Sequence, residues 1–108
     1  MKLERINTNL QREISHILAE EVKDKDIEFV TITAVEVTND LSVAKIYVTI
    51  LNDGKRDQTM EALAKAKGFV RSQLFDRVEM RKIPDLRFIY DESVARGQRI
   101  ENLIKEAQ

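Results

Sequence analysis

The chain has 108 residues, of which 43% are hydrophobic and 34% are charged, and its net charge is −1. This composition is typical of one folded domain over residues 1–108 and excludes a disordered chain or two separate domains. No apolar run is long enough to cross a membrane, no signal-peptide pattern begins the chain, and the absence of cysteine excludes disulfides. We therefore expect a cytoplasmic protein.

The first predicted element is an amphipathic helix from residue 3 to residue 22. Its apolar residues recur at helical spacing and form one face. They are Leu3, Ile6, Leu10, Ile14, Ile17, Leu18 and Val22. Arg5 and Arg12 lie on the opposite face, where they predict either a second cationic strip or an ordinary solvated surface. His16 is the only histidine, and with no cysteine nearby it is not expected to bind a metal or act as a catalytic base.

Two predicted strands follow and form an antiparallel hairpin. Residues 29–38 are rich in Val, Ile and Thr, and residues 41–51 alternate between apolar and polar side chains. The turn signal Asn39-Asp40 joins them by a short connection. In the first strand the apolar phase changes near Ala34, which predicts a β-bulge or a strong bend.

The next segment, residues 57–78, is a helix that we expect to break in its middle. Its apolar residues would form one buried stripe. They are Met60, Leu63, Ala64, Val70, Leu74 and Val78. On an unbroken helix Lys67 would lie near the middle of that stripe, where burying its charge is costly, and Gly68 is a poor helix-interior residue. A kink at Ala66-Lys67-Gly68 would resolve both problems and start a second helix with free N–H groups.

A third strand and a last helix complete the predicted fold. Pro84 ends regular structure after the kinked helix, and residues 86–90 alternate as a short strand. Residues 91–93 then supply N-cap chemistry for a final helix. The order helix, strand, strand, helix-kink-helix, strand, helix predicts an α+β fold with a three-stranded sheet and all helices on one face.

Positive charge is concentrated around the expected kink. Residues 55–90 hold nine Lys/Arg and five Asp/Glu, a balance of +4, whereas residues 27–54 have a balance of −3. A solvated surface of mixed charge is one explanation. The other is an anion-binding corner, made by a helix start and flanking cations, that meets the phosphates of a nucleic acid.

The sequence contains no recognisable catalytic or cofactor site. Its carboxylates are scattered beside cations on predicted helix faces, no glycine-rich phosphate loop is present, and no spacing indicates a metal site. We therefore do not expect an enzyme, a bound metal or cofactor, or a small-molecule substrate.

The order of the predicted elements, with a kink between two helices beside a three-stranded sheet, resembles the type II KH domain. Four stretches of sequence sharpen this resemblance, namely residues 29–48, 68–74, 84–93 and 96–100. They look like the corresponding parts of the ribosome-binding factor A family. Together they cover nearly the whole chain without large insertions, so the resemblance is specific.

The resemblance implies a bacterial cytoplasmic assembly factor for the small ribosomal subunit. Members of this family bind the free 30S particle and 16S rRNA, promote maturation of the 5′ end of that RNA, and assist growth in the cold without catalysis or a cofactor. Ala66-Lys67-Gly68 fits the Ala-x-Gly kink that replaces the Gly-x-x-Gly loop of ordinary KH domains. Because that loop clamps a single-stranded backbone, its replacement favours binding to folded rRNA by shape.

The predicted rRNA-binding residues surround the kink. Lys65, Lys67 and Arg71 are expected to contact phosphates there, beside the backbone of Ala66 and Gly68. The remaining predicted residues, which would widen the cationic surface, are Arg77, Arg81, Lys82, Arg87, Arg5 and Arg12. The expected partners are the 30S subunit and 16S rRNA, and we expect a monomer that does not bind membranes.

Two alternatives remain open at this point. One is a KH-like RNA-binding module that acts outside the ribosome and prefers short single-stranded RNA. The other is a protein-interaction domain that uses its sheet face, with Thr31, Thr33 and Tyr47 as candidate contacts. Binding that survives RNase treatment would indicate the second alternative.

Overall fold

The computed structural model describes residues 3–27, 30–51 and 53–92. Its helices and strands, in chain order, are α1 (Leu3–Glu20), β1 (Val30–Val37), β2 (Val43–Ile50), α2 (Arg56–Arg77) and β3 (Asp85–Tyr90). This confirms the predicted α+β class and the predicted order as far as the third strand, except that one helix stands where helix-kink-helix was predicted. The last predicted helix falls in residues 93–108, outside the described residues.

The three strands form one sheet in the order β1-β2-β3. β1 and β2 pair antiparallel, as the short turn between them predicts, whereas β3 pairs parallel to β2. The predicted irregularity in β1 is confirmed, because the pairing register shifts between Ile32 and Ala34. The shift lets Ile32 on one side of it and Val35 and Val37 on the other all point into the core.

The core lies between the sheet and the two helices. Along β2 the side chains of Ala44, Ile46, Val48 and Ile50 are buried in strict alternation with less buried neighbours. Ala44, Ile46 and Val48 join one apolar cluster with buried residues of α1 and α2, and burying one large aliphatic side chain contributes about 1.5–3 kcal/mol. Because both helices reach the same cluster, the prediction that the helices lie on one face of the sheet is confirmed for α1 and α2.

The first helix is also attached to the sheet by polar side chains. β1 is an edge strand, and exposed strand edges invite unwanted pairing. Asn7 Oδ1 accepts a hydrogen bond from the Val37 N–H at 3.0 Å, and Gln11 Nε2 donates to the Ile32 carbonyl at 3.3 Å. These bonds satisfy two backbone groups of β1 and fix α1 along it.

The second helix is continuous, so the predicted break at Ala66-Lys67-Gly68 is wrong. α2 remains α-helical from Arg56 to Arg77. No second helix start with free N–H groups exists at this position, and the anion-binding corner predicted from it is therefore absent.

Two features explain why the break is unnecessary. Lys67 lies at the margin of the buried stripe, and its Nζ is 3.5 Å from Asp85 Oδ1. A lysine in this position keeps its charged end near water while its aliphatic stem covers apolar surface. Ala66, rather than Lys67, packs against the core at this level of the helix. Gly68 is exposed, and a Cβ built on it would meet no atom within 4 Å.

The turn between β1 and β2 is organised by one carboxylate. Asp40 Oδ1 accepts hydrogen bonds from Thr38 Oγ1 at 2.7 Å, from Ser42 Oγ at 2.7 Å and from the Ser42 N–H at 3.1 Å. These bonds, with that from the Ser42 hydroxyl as the largest cause, lower the pKa of Asp40 from 3.8 to about 2. The Ser42 carbonyl in turn accepts the Asp85 N–H at 2.9 Å, which joins the turn to the start of β3.

Replacing Gly68 with Ala should stabilise the protein. In a continuous helix Ala is favoured over Gly by about 0.5–1 kcal/mol, and nothing obstructs the added methyl group. We expect the free energy of unfolding in urea, followed by circular dichroism, to rise by about this amount. The reciprocal change Ala64→Gly, at another exposed position of α2, should lower it similarly. A loss of stability in Gly68→Ala would show that the helix does break at this residue.

The stabilising effect of Asp40 should depend on pH. Because its pKa is lower in the folded protein, the ionised carboxylate contributes its full stabilisation above pH 3.8, and this contribution is lost as the pH falls through about 2. The difference in unfolding free energy between the wild type and Asp40→Ala should therefore shrink over that range. Asn39→Ala, a neutral change in the same turn, should give a difference that does not vary with pH.

Candidate nucleic-acid interface

An open groove of about 400 Å³ lies between the C-terminal half of α2 and the connection that leads to β3. Its lining residues come from one face of the helix and from three successive residues of the connection. They are Gly68, Arg71, Ser72, Phe75, Arg81, Lys82 and Ile83. We call it the α2 groove. Arg71, Ser72 and Phe75 follow Gly68 by three, four and seven positions. This spacing places all four residues on one face of α2.

Among the described residues, three cations and no carboxylate line the α2 groove. Arg81 and Lys82 are exposed, and within residues 3–27, 30–51 and 53–92 neither has a hydrogen-bond or ion-pair partner. Arg71 is partly buried and donates through Nε to the Pro84 carbonyl at 3.2 Å and through Nη2 to the Ile83 carbonyl at 2.8 Å. The groove therefore presents a local positive potential that attracts anions.

Arg71 has a structural role that its sequence position does not reveal. Its two hydrogen bonds hold the end of the connection against α2 and so place Arg81 and Lys82 opposite the helix. A guanidinium has five N–H donors, and these bonds use only Nε and one of the two terminal nitrogens, Nη2. Arg71 can therefore hold the wall of the groove and still face an anion.

An exposed aromatic ring lies among these cations. Phe75 is 66% exposed although its neighbour Leu74 is fully buried. Sequence reasoning missed Phe75 as a functional residue, but a signal was present, because it lies off the apolar stripe of the helix that contains Val70 and Leu74. Aromatic rings beside cations are typical of surfaces that bind nucleic acids.

Lys67 and Arg87 lie beside the start of β3 and share one carboxylate. Lys67 Nζ is 3.5 Å from Asp85 Oδ1, and Arg87 Nε is 3.5 Å from Asp85 Oδ2. All three side chains are at least two-fifths exposed, so each pair is weak and can be exchanged for another anion. Together they leave one net positive charge next to the connection.

Lys65 is placed away from the α2 groove. Its Nζ is 3.5 Å from Glu61 Oε1, one helical turn earlier. It also lines a small pocket with Asp24 and Asp26. Of the residues predicted around the kink, the structure thus brings Gly68 and Arg71 into the groove, whereas Lys65 lies among carboxylates.

Arg5, Arg12 and Arg77 line a second cleft, also of about 400 Å³, between α1 and the end of α2. Glu13 and Glu79 line it too, so its charge is mixed. Arg77 also forms an ion pair with Glu21 at the end of α1. Six of the nine predicted cations therefore divide between two clefts, with residues 78–80 lining this one and residues 81–83 lining the α2 groove.

The sheet face opposite the helices carries the residues of the protein-interaction alternative. Thr31 is exposed and Tyr47 is partly buried. Thr33 lies at the register shift of β1 and donates through Oγ1 to Asp91 Oδ2 at 2.6 Å, so its hydroxyl is engaged within the fold. This face therefore offers fewer free polar groups than its sequence indicates.

The described ranges 3–27, 30–51 and 53–92 contain neither a metal-binding cluster nor a membrane-spanning helix. Within them no three His, Cys, Asp or Glu side chains come together in a way that could hold a metal ion. In the same residues no helix is both long and apolar enough to span a bilayer.

Comparisons with known proteins agree on one family. The family model for ribosome-binding factor A matches residues 2–104. A ribosome-binding factor A from Macrococcus caseolyticus is 45% identical over 107 residues, which cover 98% of this chain and 94% of that protein. The resemblance predicted from the sequence is confirmed.

Solved structures show the same fold. The crystal structure of ribosome-binding factor A from Thermus thermophilus aligns with a TM-score of 0.76 and 24% identity, covering 83% of this chain and 97% of that one. A homology model of the Thermus thermophilus factor, fitted into a cryo-EM map of its complex with the 30S subunit, aligns with a TM-score of 0.59 and 26% identity. This alignment covers 83% of this chain and 91% of the fitted one.

Replacing Arg71 with Lys should destabilise the fold. A lysine ammonium cannot reproduce the two-point contact with the Ile83 and Pro84 carbonyls, so at least one partly buried acceptor loses a charged donor. We expect a loss of about 1–3 kcal/mol in the free energy of urea unfolding. Lys82→Ala, which removes an exposed cation without a described partner, should change that free energy by less than about 0.5 kcal/mol. Equal effects of the two changes would contradict the structural role of Arg71.

Proposed function

This chain belongs to the ribosome-binding factor A family, and from that membership we propose that it is a ribosome biogenesis factor that binds the small (30S) ribosomal subunit. We propose the α2 groove as the surface that contacts 16S rRNA. The observation that supports this choice is the pair of exposed cations Arg81 and Lys82, which have no partner in the described part of the chain.

The nature of the partner is supported by a related protein. The Thermus thermophilus factor is described in a complex with the 30S subunit. Its fitted coordinates and this chain align over most of both lengths. We extend the same partner to this chain, as a single domain that acts as a monomer in the cytoplasm.

The electrostatics of the groove favour an RNA backbone. Each phosphate neutralised by a lysine or arginine releases condensed counterions, so binding is strong at low salt and weakens steeply as salt rises. Arg81 and Lys82 can each neutralise a phosphate without first breaking an ion pair within the described residues. Lys67 and Arg87 must first break their ion pairs with Asp85, and Arg77 must break its ion pair with Glu21. These three cations therefore contribute less to the binding of RNA.

The proposed action is binding rather than catalysis. A protein that holds one arrangement of an RNA more tightly than the others shifts the population towards that arrangement. Applied to an immature 30S particle, this would promote late maturation and processing of the 5′ end of 16S rRNA. It would also assist growth in the cold.

Reversing the two free charges of the groove should abolish binding to the subunit. The double variant Arg81→Glu/Lys82→Glu replaces attraction to phosphates with repulsion, and its fold should be unchanged because neither side chain has an internal partner in the described residues. We expect the wild type to sediment with free 30S particles in sucrose gradients and to leave them after RNase treatment. The double variant should stay at the top of the gradient.

A matched control separates the groove from overall charge. Lys55→Glu/Lys65→Glu makes the same change in net charge at two exposed positions, one in the N-terminal half of α2 and one just before that helix. This variant should still sediment with 30S particles. An equal loss of binding in both double variants would mean that net charge, and not the α2 groove, determines binding.

A further inference from the structure

We propose that the α2 groove holds an unpaired nucleotide, with its base stacked on Phe75 and its phosphates at Arg81 and Lys82. This inference rests on the proposed function, because it takes RNA as the partner. It narrows that function from contact with folded RNA in general to recognition of one nucleotide outside a helix.

The first observation is the position of the exposed ring. One exposed apolar residue is ordinary on a protein surface, and Phe69 on the same helix is also exposed, at 43%. Phe75, at 66% exposed, differs because it lies in a groove that three cations and no carboxylate line among the described residues. A ring in this setting can offer an apolar face while its neighbours neutralise negative charge.

The second observation is the open space beside the ring. Side chains on a helix lean towards its N-terminus, so the ring of Phe75 leans towards the turn that holds Arg71 and Ser72. Gly68 lies one further turn along the same face, and a Cβ built on it would meet nothing within 4 Å. Among the described residues, the approach to the ring along the helix is therefore free for a flat group.

The third observation is the polar surroundings. Ser72 Oγ donates to the Phe69 carbonyl at 2.7 Å, which leaves its oxygen able to accept a hydrogen bond from a base amine. Arg71 keeps guanidinium donors beyond those bound to the Ile83 and Pro84 carbonyls. A base lying on the ring would thus find both a donor and an acceptor near its edge.

The form of the groove distinguishes an unpaired nucleotide from a duplex. Inside an RNA helix both faces of a base are covered by its neighbours, and proteins read such helices through phosphates and 2′-hydroxyl groups without stacking. Single-stranded RNA instead offers free base faces to aromatic side chains. The volume of about 400 Å³ is near the lower end of small-ligand sites, which suits one nucleotide rather than a helix.

The main test compares two leucine variants in binding to 30S particles. Phe75→Leu keeps an apolar side chain but removes the ring, so the dissociation constant should rise about tenfold or more. Its dependence on salt should be unchanged, because no phosphate contact is lost. The matched control is Phe69→Leu, six residues away and therefore turned by about 120° around the helix axis. It should bind like the wild type.

A fluorescent variant supplies an independent measurement. The chain contains no tryptophan, so Phe75→Trp places a single indole in the groove. We expect a single-stranded oligoadenylate and intact 30S particles to quench its fluorescence, because a base stacks on the indole. A blunt-ended RNA duplex should leave the fluorescence unchanged. Equal quenching by the duplex and the single strand would overturn the proposal.

The outcomes separate this inference from the proposed function. If Phe75→Leu binds 30S particles like the wild type while Arg81→Glu/Lys82→Glu does not, the stacked nucleotide is excluded and the RNA-binding groove stands. If both bind like the wild type, the groove is not the RNA site and both ideas fail. If Phe69→Leu loses as much affinity as Phe75→Leu, the effect does not come from the groove and the inference is overturned.

Discussion

The parallel pairing of β3 with β2 is the constraint on which the rest of the structure depends. Parallel neighbours cannot be joined by a tight turn, so the chain must travel back along the sheet through a crossover. α2 is that crossover, and its 22 residues span about 33 Å. A continuous helix of this length makes the return as one element, and its buried residues join those of β2 in one apolar cluster.

The same crossover creates the surface that we assign to RNA. After α2 the chain must turn back to enter β3, and Arg71 holds this return by the Ile83 and Pro84 carbonyls. The connection between α2 and β3 therefore runs alongside α2, and these two segments form the walls of the α2 groove. Arg81 and Lys82 lie on the wall that the connection contributes to the groove.

Much of the fold could be predicted because its signals are local. The alternation along β2 defined the packed face of the sheet, and the change of apolar phase near Ala34 located the register shift. The break in α2 was predicted wrongly because the charge of Lys67 is accommodated by Asp85, a residue of the following strand. Periodicity describes one helix at a time and carries no information about such a distant partner.

The candidate site was predicted only in outline for a related reason. Counting charges identified residues 55–90, but it could not show that Lys65 lies beside Glu61 and that Lys67 and Arg87 share one carboxylate. Conversely, the sequence analysis did not select Phe75, because its exposure within a groove depends on the course of the connection. Whether a cation has an ion-pair partner depends on its neighbours in the tertiary structure, and the crossover determines those neighbours.

The acidic pocket around Lys65 has a consequence for how the protein meets a polyanion. Asp24, Asp26 and Glu61 lie beside the first half of α2, and the centre of the cationic groove lies about 15 Å further along the helix. Because the net charge is only −1, these two oppositely charged regions, rather than an overall positive charge, determine how the described part of the chain responds to a polyanion. A field from RNA exerts a torque on such a body, which turns its acidic end outward and its groove inward before contact. The charge pattern therefore orients the protein relative to the RNA during the encounter, more than it attracts the protein from a distance.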